Sequence, residues 1–397
     1  MTNISEGHYL VKESLSLELN NILNYWTDTV DIEHGGFYGQ INEREEIVQK
    51  AVKGSVLNAR ILWSFAAAYN LTGYPKYLQL AQRSFEYITK YFIDPEYGGV
   101  YWSVNYNCTP ADTKKQVYAI AFTIYGLSEY FKASGDNNAL ELAKSLFKDI
   151  ETHSFDNKCG GYLEAFTRNW DVIKDLRLSD KDANEKKTMN THLHILEAYT
   201  SLYTIWPDKQ LADKLTQLIK VFNNYIIDGK SFHLNLFFDE NWVSKSEIVS
   251  YGHDIEASWL LLEAAEVLGD VDIINEVKEV SVKIALASME GLDNGGMNYE
   301  FDPKEKHLIA EKHWWVQAEA MVGFLNAWQI SGDRHFYDKF LAVWGFIQEH
   351  IIDHENGEWI WGILGDGTVM PDQDKAGFWK CPYHNSRACI EVIKRLG

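Results

Sequence analysis

The sequence predicts an all-α fold, an (α/α)6 barrel of six inner and six outer helices with short β-hairpins in the loops at one mouth. Three observations predict it. A short phrase recurs about every sixty residues along the chain. An amphipathic helical pattern precedes each copy, and a helical pattern apolar on most faces follows it. A fixed period of this length means one supersecondary unit repeated.

The phrase joins an aspartate to a glycine pair and an aromatic. Asp31 leads into Gly35-Gly36-Phe37-Tyr38, Asp94 into Gly98-Gly99-Val100-Tyr101-Trp102, and Asp156 into Gly160-Gly161-Tyr162. Asp293 leads into Gly295-Gly296-Met297-Asn298-Tyr299, and Asp353 into Gly357-Glu358-Trp359. A degenerate copy without the glycines runs from Asp228 through Leu236-Phe237-Phe238. The aspartates are spaced by 63, 62, 72, 65 and 60 residues.

The second unit shows the plan. Leu78, Leu80, Ala81, Phe85, Ile88 and Phe92 lie at helical spacing after Pro75, a residue suited to a helix's first turn. The helix stops before Asp94-Pro95. Val100 to Val104 is short, aromatic and β-branched, which predicts a strand of a small hairpin. A second helix follows over 117–133 and ends near Gly135, which can take the left-handed C′ position. The corresponding second helices are predicted at 55–71, 189–205, 253–268, 314–330 and 383–396. They are apolar nearly all round, as in Ile61-Leu62-Trp63-Ser64-Phe65-Ala66-Ala67-Ala68, so they are the buried, inner set. The first helices carry charged faces such as Glu141, Lys144, Lys148 and Glu151, so they are the outer set.

An open solenoid is the alternative to a closed ring. A solenoid needs polar terminal caps, and neither end unit has one, so closure is preferred. No Pro/Gly/Ser-rich linker interrupts the repeat, and the chain holds only 7 prolines, so residues 1–397 are read as one barrel domain. Every long loop joins an outer helix to an inner one. All six therefore gather at one mouth, where the first turns of the inner helices would build a site.

Composition narrows the partners. The formal charge of −20 and a pI near 5.1 disfavour nucleic acid, which needs clustered Lys and Arg. The same charge disfavours an anionic membrane surface. Residues 1–10 have no basic start and no apolar run, and no eighteen-residue apolar stretch exists, so the sequence predicts neither a signal peptide nor a membrane span. Cys108, Cys159, Cys381 and Cys389 lie far apart without CxxC spacing and read as reduced thiols of a cytoplasmic protein. No metal or cofactor is expected. Aromatics make up 14% of the chain, enough to furnish both a core and stacking faces for sugar rings.

The informative residues are polar ones on the otherwise apolar inner helices. They are Arg60; Tyr118; Asn190 with His194; His253 with Glu256; Trp314, Trp315 and Glu319; and His384 with Arg387. Buried charge is costly unless paired, so one polar set per inner helix suggests convergence on one pocket. Spacings of three or four residues put His253 and Glu256, Asn190 and His194, and His384 and Arg387 on common helix faces. His192 lies two residues from His194 and points elsewhere. His34, His233, His307 and His354 fall in loops or helix ends and read as solvated; His313 adjoins Trp314 but faces another side. Imidazoles on two faces of a substrate can remove and return a proton, and an Arg can hold the oxyanion between those steps. Glu256 and Glu319 as an acid/base pair would instead make an inverting glycoside hydrolase. A non-enzymatic sugar-binding protein is the other alternative.

Three runs carry a resemblance: Asn190-Thr191-His192-Leu193-His194-Ile195-Leu196-Glu197, Ser250-Tyr251-Gly252-His253-Asp254-Ile255-Glu256-Ala257-Ser258-Trp259, and Lys312-His313-Trp314-Trp315-Val316-Gln317-Ala318-Glu319. With the segment from Trp379 to His384, they resemble the N-acylglucosamine 2-epimerase superfamily over essentially the whole chain, and most closely its cellobiose 2-epimerase branch. The resemblance implies cofactor-free epimerisation at C2 of the reducing-end glucose of a β-1,4 disaccharide such as cellobiose, lactose or mannobiose. N-acylglucosamine epimerisation and aldose–ketose isomerisation of mannose are the alternatives within the superfamily. It also implies that His253 and His384 are the acid/base pair, that His194 assists ring opening, and that Arg60 lies at the O1/O2 end of the sugar. Tyr118, Asn190, Glu256, Trp315 and Trp379 match further pocket positions. Glu256, one turn from His253, is expected to orient that ring. Trp379 and one of Trp314 and Trp315 are expected to stack on sugar, and Glu319 and Arg387 to contact substrate. The chain is expected to act as a monomer or weak homodimer.

Overall fold

The computed structural model describes residues 4–397, with side chains from Gly7 onward. The N-terminal reading therefore falls partly on residues 1–3, outside the described residues. Helices alternate outer and inner along the chain: α1 (Ile4–Thr27), α2 (Ser55–Thr72), α3 (Pro75–Tyr87), α4 (Val117–Ser134), α5 (Asn137–His153), α6 (Met189–Ile205), α7 (Lys209–Val221), α8 (Tyr251–Leu268), α9 (Val271–Ser288), α10 (Trp314–Ser331), α11 (Arg334–His350) and α12 (Tyr383–Arg395). The even-numbered helices pack in cyclic order, α12 closing against α2, so the ring is a barrel and not a solenoid. α1 packs on α12, and each other odd-numbered helix packs on the inner helix it follows. No described helix is long and apolar enough to cross a membrane.

Each boundary has a local cause. Pro75 takes the first turn of α3, which runs on into a π turn at Ile88–Phe92. Asp136, Asp208, Asp270 and Asp333 cap outer helices by accepting backbone N–H groups of the first turn. Gly73, Gly135, Gly269 and Gly332 end inner helices in the left-handed conformation, as the sequence predicts for Gly135.

The repeated phrase is a turn with its own hydrogen-bond logic. The Asp31 carboxylate accepts the N–H groups of Glu33 and His34, its carbonyl accepts the N–H of Gly35, and its N–H donates to the Gly36 carbonyl. The units of Asp94, Asp156, Asp228 and Asp353 repeat this scheme. The two positions filled by the glycine pair take φ near +70°, and an aromatic ring packs on the second. A Cβ on Gly161 would stand 2.4 Å from the Trp242 ring. The fifth unit departs, using a tight Asn294-Gly295 hairpin between Leu292–Asp293 and Gly296–Met297.

The short strands do more than form hairpins within a unit. Lys53–Gly54 pairs with Ser103–Val104, Lys115–Gln116 with Ala165–Phe166, Lys187–Thr188 with Phe237–Phe238, Ser250 with Glu300, and Lys312–His313 with Gly362–Ile363. A bridge from Ile41 to Ala376 completes a circle that stitches each unit to the next around the mouth.

A lysine just before each of five inner helices reinforces this circle. Lys53, Lys115 and Lys187, each buried, reach Asp31, Asp94 and Asp156 at 2.7, 2.9 and 2.8 Å. Lys312 reaches Asn298 at 2.9 Å, and Lys380 reaches the buried Glu358 at 2.6 Å. The fourth unit has Val249 where the others carry lysine. There His233 pairs with Asp254 at 2.7 Å, so His233 is a partly buried ion-pair partner and not the solvated loop residue the sequence suggests.

Burial opposes the charge on Asp31, but Lys53 and the N–H of His34 outweigh it and hold the carboxyl below its ordinary value. Burial also draws the Lys53 ammonium down, so the net worth of the pair is smaller than the carboxylate alone implies. Removing one partner is the larger effect. Lys53→Met should destabilise the protein by about 3–5 kcal/mol near neutral pH, read by denaturant unfolding. A depressed carboxyl contributes stability above its unfolded pKa of about 3.9 and loses it as pH falls through the folded value. The deficit of Lys53→Met should therefore shrink below about pH 4; a deficit independent of pH would refute the ion-pair account.

Candidate functional site

The inner helices deliver their first turns to a cavity of about 470 Å³ at the mouth. Its wall includes Arg60 of α2, Tyr118 of α4, Asn190 and His194 of α6, His253 and Glu256 of α8, Trp314 and Trp315 of α10, and His384 of α12, with Trp379 from the preceding loop. All six inner helices thus contribute, as the sequence pattern suggests. A second cavity of about 380 Å³ adjoins it, sharing Leu178, Lys181, Asp182, Asn190, His253 and Tyr299.

One end of the site is cationic and aromatic. The buried Arg60 donates from Nη2 to the Tyr118 hydroxyl at 2.8 Å, and its guanidinium lies over Phe122 and Tyr383, 4.1 and 4.8 Å from their ring centres. His194 meets Phe122 at 4.5 Å and Tyr118 at 5.0 Å between centroids. The partly buried Trp315 ring lies 4.8 Å from His253 and 5.7 Å from His384. Trp379 lies 6.1 Å from Tyr118 and closes the aromatic wall. Of the two adjacent tryptophans, Trp315 faces the histidines. Trp314 is buried against Trp361 at 4.6 Å with the Lys380 ammonium over it, though it also lines the cavity.

Each of the three histidines is held through Nδ1 by a different partner. His194 bonds Glu197 at 2.9 Å, His384 bonds Glu319 at 2.7 Å, and His253 bonds the Ser250 hydroxyl at 2.8 Å. Glu256 does not orient His253, contrary to the sequence reading. The helical turn that separates them points its carboxyl inward to Arg387, whose Nη2 donates to it at 2.8 Å. Ser250 and Glu197 were missed, although His194 and Glu197 stand three apart on one face and Ser250 stands three before His253.

Glu319 and Arg387 also correct the sequence reading. Both lie under the cavity floor, not in its wall. Arg387 donates from Nη2 to Glu319 at 2.6 Å and from Nη1 to Glu197 and the Tyr383 oxygen. Glu197 also accepts from Tyr383, and Glu319 from Trp259 at 3.1 Å. Three carboxylates thus surround one buried guanidinium. Glu256, Glu319 and His384 present possible ligand atoms within 4.8 Å of one another, but Arg387 already stands where a metal ion would balance that charge.

The charge states follow. Burial opposes ionisation of Glu197, yet Arg387, His194 and Tyr383 hold its carboxyl down to about 2. Burial raises Glu319, and burial together with the nearby Glu319 charge raises Glu256 well above the carboxylate range. Glu319 has the better donors, namely Arg387, Trp259 and His384, so the proton of the pair resides on Glu256. Burial pushes the His253 imidazole down to about 3, with His194 adding to the effect. Burial and then Arg60 and Arg387 carry His384 well below its ordinary value, and burial lowers His194. The ionised Glu197 and Glu319 fix the proton of His194 and His384 on Nδ1, leaving each Nε2 lone pair free.

Some histidines lie outside this set. His192 points away from the cavity, as expected, to the loop at Tyr162, whose N–H it accepts at Nε2 while Nδ1 faces the Thr188 carbonyl. His313 lines the cavity, stacked on Tyr299 at 4.1 Å and bonded to Glu311 at 2.8 Å.

Residues 36–388 match the family model for N-acylglucosamine 2-epimerase (GlcNAc 2-epimerase). The chain is 53% identical to a cellobiose 2-epimerase of Bacteroides fragilis over 97% of its own length and 99% of the relative's. It is 43% identical to a cellobiose 2-epimerase of Ruminococcus albus, covering 95% and 96% of the two chains. The solved structure of cellobiose 2-epimerase from Bacillus thermoamylovorans B4167 superposes with a TM-score of 0.93 at 39% identity, covering 97% of this chain and 99% of that one. With a matching barrel, matching length and a family model spanning most of its residues, this chain belongs to the N-acylglucosamine 2-epimerase family.

Proposed function

We propose that the protein is a cellobiose 2-epimerase, inverting C2 of the reducing-end glucose of β-1,4 disaccharides, and that the whole chain acts as one catalytic domain. The observation that carries this reading is the pair of neutral, differently supported imidazoles, His253 and His384, lining one cavity with Arg60. Full-length similarity to cellobiose 2-epimerases supports the choice of substrate.

The sugar ring opens as His194 Nε2 takes the proton of the O1 hydroxyl, O1 becomes the aldehyde oxygen and the C1–O5 bond breaks. The imidazolium, stabilised meanwhile by Glu197, then gives the proton to O5. His384 Nε2 then removes the C2 proton, and its Nδ1–H on Glu319 stabilises the positive ring. The cis-enediolate is held by Arg60 and the Tyr118 hydroxyl, donors already aligned in the cavity. After rotation about C2–C3, His253, protonated from solvent water while the negative enediolate is present, gives that proton to the other face of C2 and so regenerates the aldehyde. The ring recloses with the O5 proton passing to O1, and His384 releases its proton to water. The low pKa of His253 belongs to the empty cavity; the negative enediolate beside it favours the protonated ring that makes the delivery. Ser250 can donate or accept at Nδ1 and so suits both states of His253. The reverse reaction exchanges the two roles. Trp315 and Trp379 stack on the sugar, and Glu256, protonated at the cavity edge, donates to a hydroxyl.

Three outcomes test this. In D2O the epimerised product should carry deuterium at C2; product without it would rule out proton transfer at that carbon, and free glucose would point to hydrolysis. His384→Ala and His253→Ala should each lose about 10²–10⁴-fold in kcat, and near-native turnover in both would move the reaction elsewhere.

The two glutamates on Arg387 should behave differently. Glu319→Gln removes the charge that supports the His384 imidazolium and should lower kcat by about 10–100-fold with little change in KM. Glu256→Gln replaces an already neutral group with a neutral isostere and should retain activity within a few-fold. Equal losses in the two variants would overturn the assigned protonation.

A further inference from the structure

The helix that carries His384 starts differently from the other five inner helices. A paired strand runs directly into the first turn of α2, α4, α6, α8 and α10. None precedes α12. The nearest backbone bridge joins Ile41 to Ala376, and residues 377–382 belong to no strand. Yet this segment and the first turn after it supply much of the site. Trp379 and His384 line the cavity, Cys381 Sγ lies 4.0 Å from Arg60 Nη1, and Tyr383 bonds Glu197 and Arg387. Side chains must hold this stretch where backbone pairing does not.

The fully buried Glu358 carboxylate is placed to do so. Its Oε1 accepts from Lys380 Nζ at 2.6 Å and from Asn385 Nδ2 at 2.5 Å, the residues four before and one after His384. Its Oε2 accepts from Trp26 Nε1 at 2.5 Å, which ties it to α1, the outer helix packed on α12. One oxygen therefore grips both ends of residues 380–385, with His384 between them.

The backbone supports a requirement for this carboxylate. Glu358 occupies the second glycine position of the repeated turn, where Gly36, Gly99 and Gly161 stand, and takes φ +60°. Among the described non-glycine residues with positive φ, it alone has no exposed surface. A bulky residue persists in this region only where its surroundings over-determine it, and such residues cluster at functional sites. Glycine would fit the turn without strain but could bond neither Lys380 nor Asn385. Asp353, the counterpart of the aspartates that receive Lys53, Lys115 and Lys187, is engaged by Lys375 instead.

We propose that Glu358 is a positioning residue for the reaction, setting where the His384 imidazole stands by clamping residues 380–385. The proposal rests on the reading of His384 as the base at C2. Glu319 fixes the tautomer of that ring, and Glu358 fixes its place. Proton removal from carbon is sensitive to place, since a displacement of about 1 Å can cost about 10²-fold in rate.

Glu358→Gln alone would leave the Lys380 ammonium buried without a counterion, which is strongly destabilising. The pair is therefore removed together, in Glu358→Gly with Lys380→Met, which also restores the glycine of the other units. Asn385→Ala is the second variant and leaves the ion pair intact. With native circular dichroism confirmed, the paired change should lower kcat on cellobiose by about 10²-fold and Asn385→Ala by less, with KM little changed. In a His384→Ala background the same changes should cause little further loss, because the base they position is gone. An unchanged kcat in either folded variant, a loss carried mainly in KM, or losses that multiply with that of His384→Ala would each overturn the positioning role. Near-native turnover of His384→Ala alone would instead overturn the assignment of the base, and the proposal with it.

Discussion

The buried guanidinium of Arg387 organises the lumen of this barrel. Four inner helices meet on it: α6 through Glu197, α8 through Glu256, α10 through Glu319, and α12 through Arg387 itself and Tyr383. One cation cannot neutralise three carboxylates in a dry interior. The excess is relieved in two ways. A proton stays on Glu256, and the other two carboxylates collect further donors from Tyr383, Trp259, His194 and His384. Every carboxylate of the network has at least one donor, while Arg387 Nε is buried without a partner. The bonds to Glu197 and Glu319 fix the imidazoles of His194 and His384 in one tautomer each. The electrostatic solution of the floor therefore sets the chemistry of the wall above it.

The rim solves a different problem. Six long loops must hold six helix starts in register without a continuous sheet. Paired two-residue strands, a buried lysine before five of the inner helices, and aspartate-centred turns do this locally at each junction. The fourth junction lacks the lysine and uses His233 with Asp254 instead. Asp254 follows His253 directly, so this exceptional pair anchors the first turn of the helix that carries one of the proposed acid/base groups.

The architecture was legible because its signals are local and repeated. Helical periodicity, C-terminal glycines and the Asp–Gly–Gly turn each act within a few residues, and every inner helix began within two residues of its expected start. The polar set on those helices was legible too, since charge in an apolar helix is conspicuous. Depth along the lumen was not. Spacing of three or four puts residues on one face but separates them by about 4.5–6 Å along the axis. His384 and Trp315 therefore line the cavity while Arg387 and Glu319, a turn further in, lie beneath it. Arg60 and Glu256 still reach the wall, because helical side chains lean toward the N-terminus and so toward the mouth. The support of His253 by Ser250 rather than Glu256 is likewise a matter of where neighbouring groups compete for one carboxyl, which spacing alone cannot rank.

Depth also decides between the chemistries that the residue types allow. An inverting hydrolase needs two carboxyl groups about 6.5–9.5 Å apart on either side of a glycosidic bond, with room for a water. Here the two candidate glutamates share Arg387 with oxygens within 4.8 Å of each other, and Glu319 lies below the floor, out of reach of a substrate oxygen. What the cavity presents instead are imidazoles that burial keeps neutral, two of them with free Nε2 lone pairs, beside a guanidinium and a tyrosine hydroxyl. Neutral imidazole is a competent base at neutral pH, and it becomes an acid once an anion forms next to it. Proton removal and return at a carbon beside a carbonyl uses both properties in one turnover, whereas inverting glycoside cleavage needs two carboxyl groups at the substrate and only Glu256 of this pair lines the cavity.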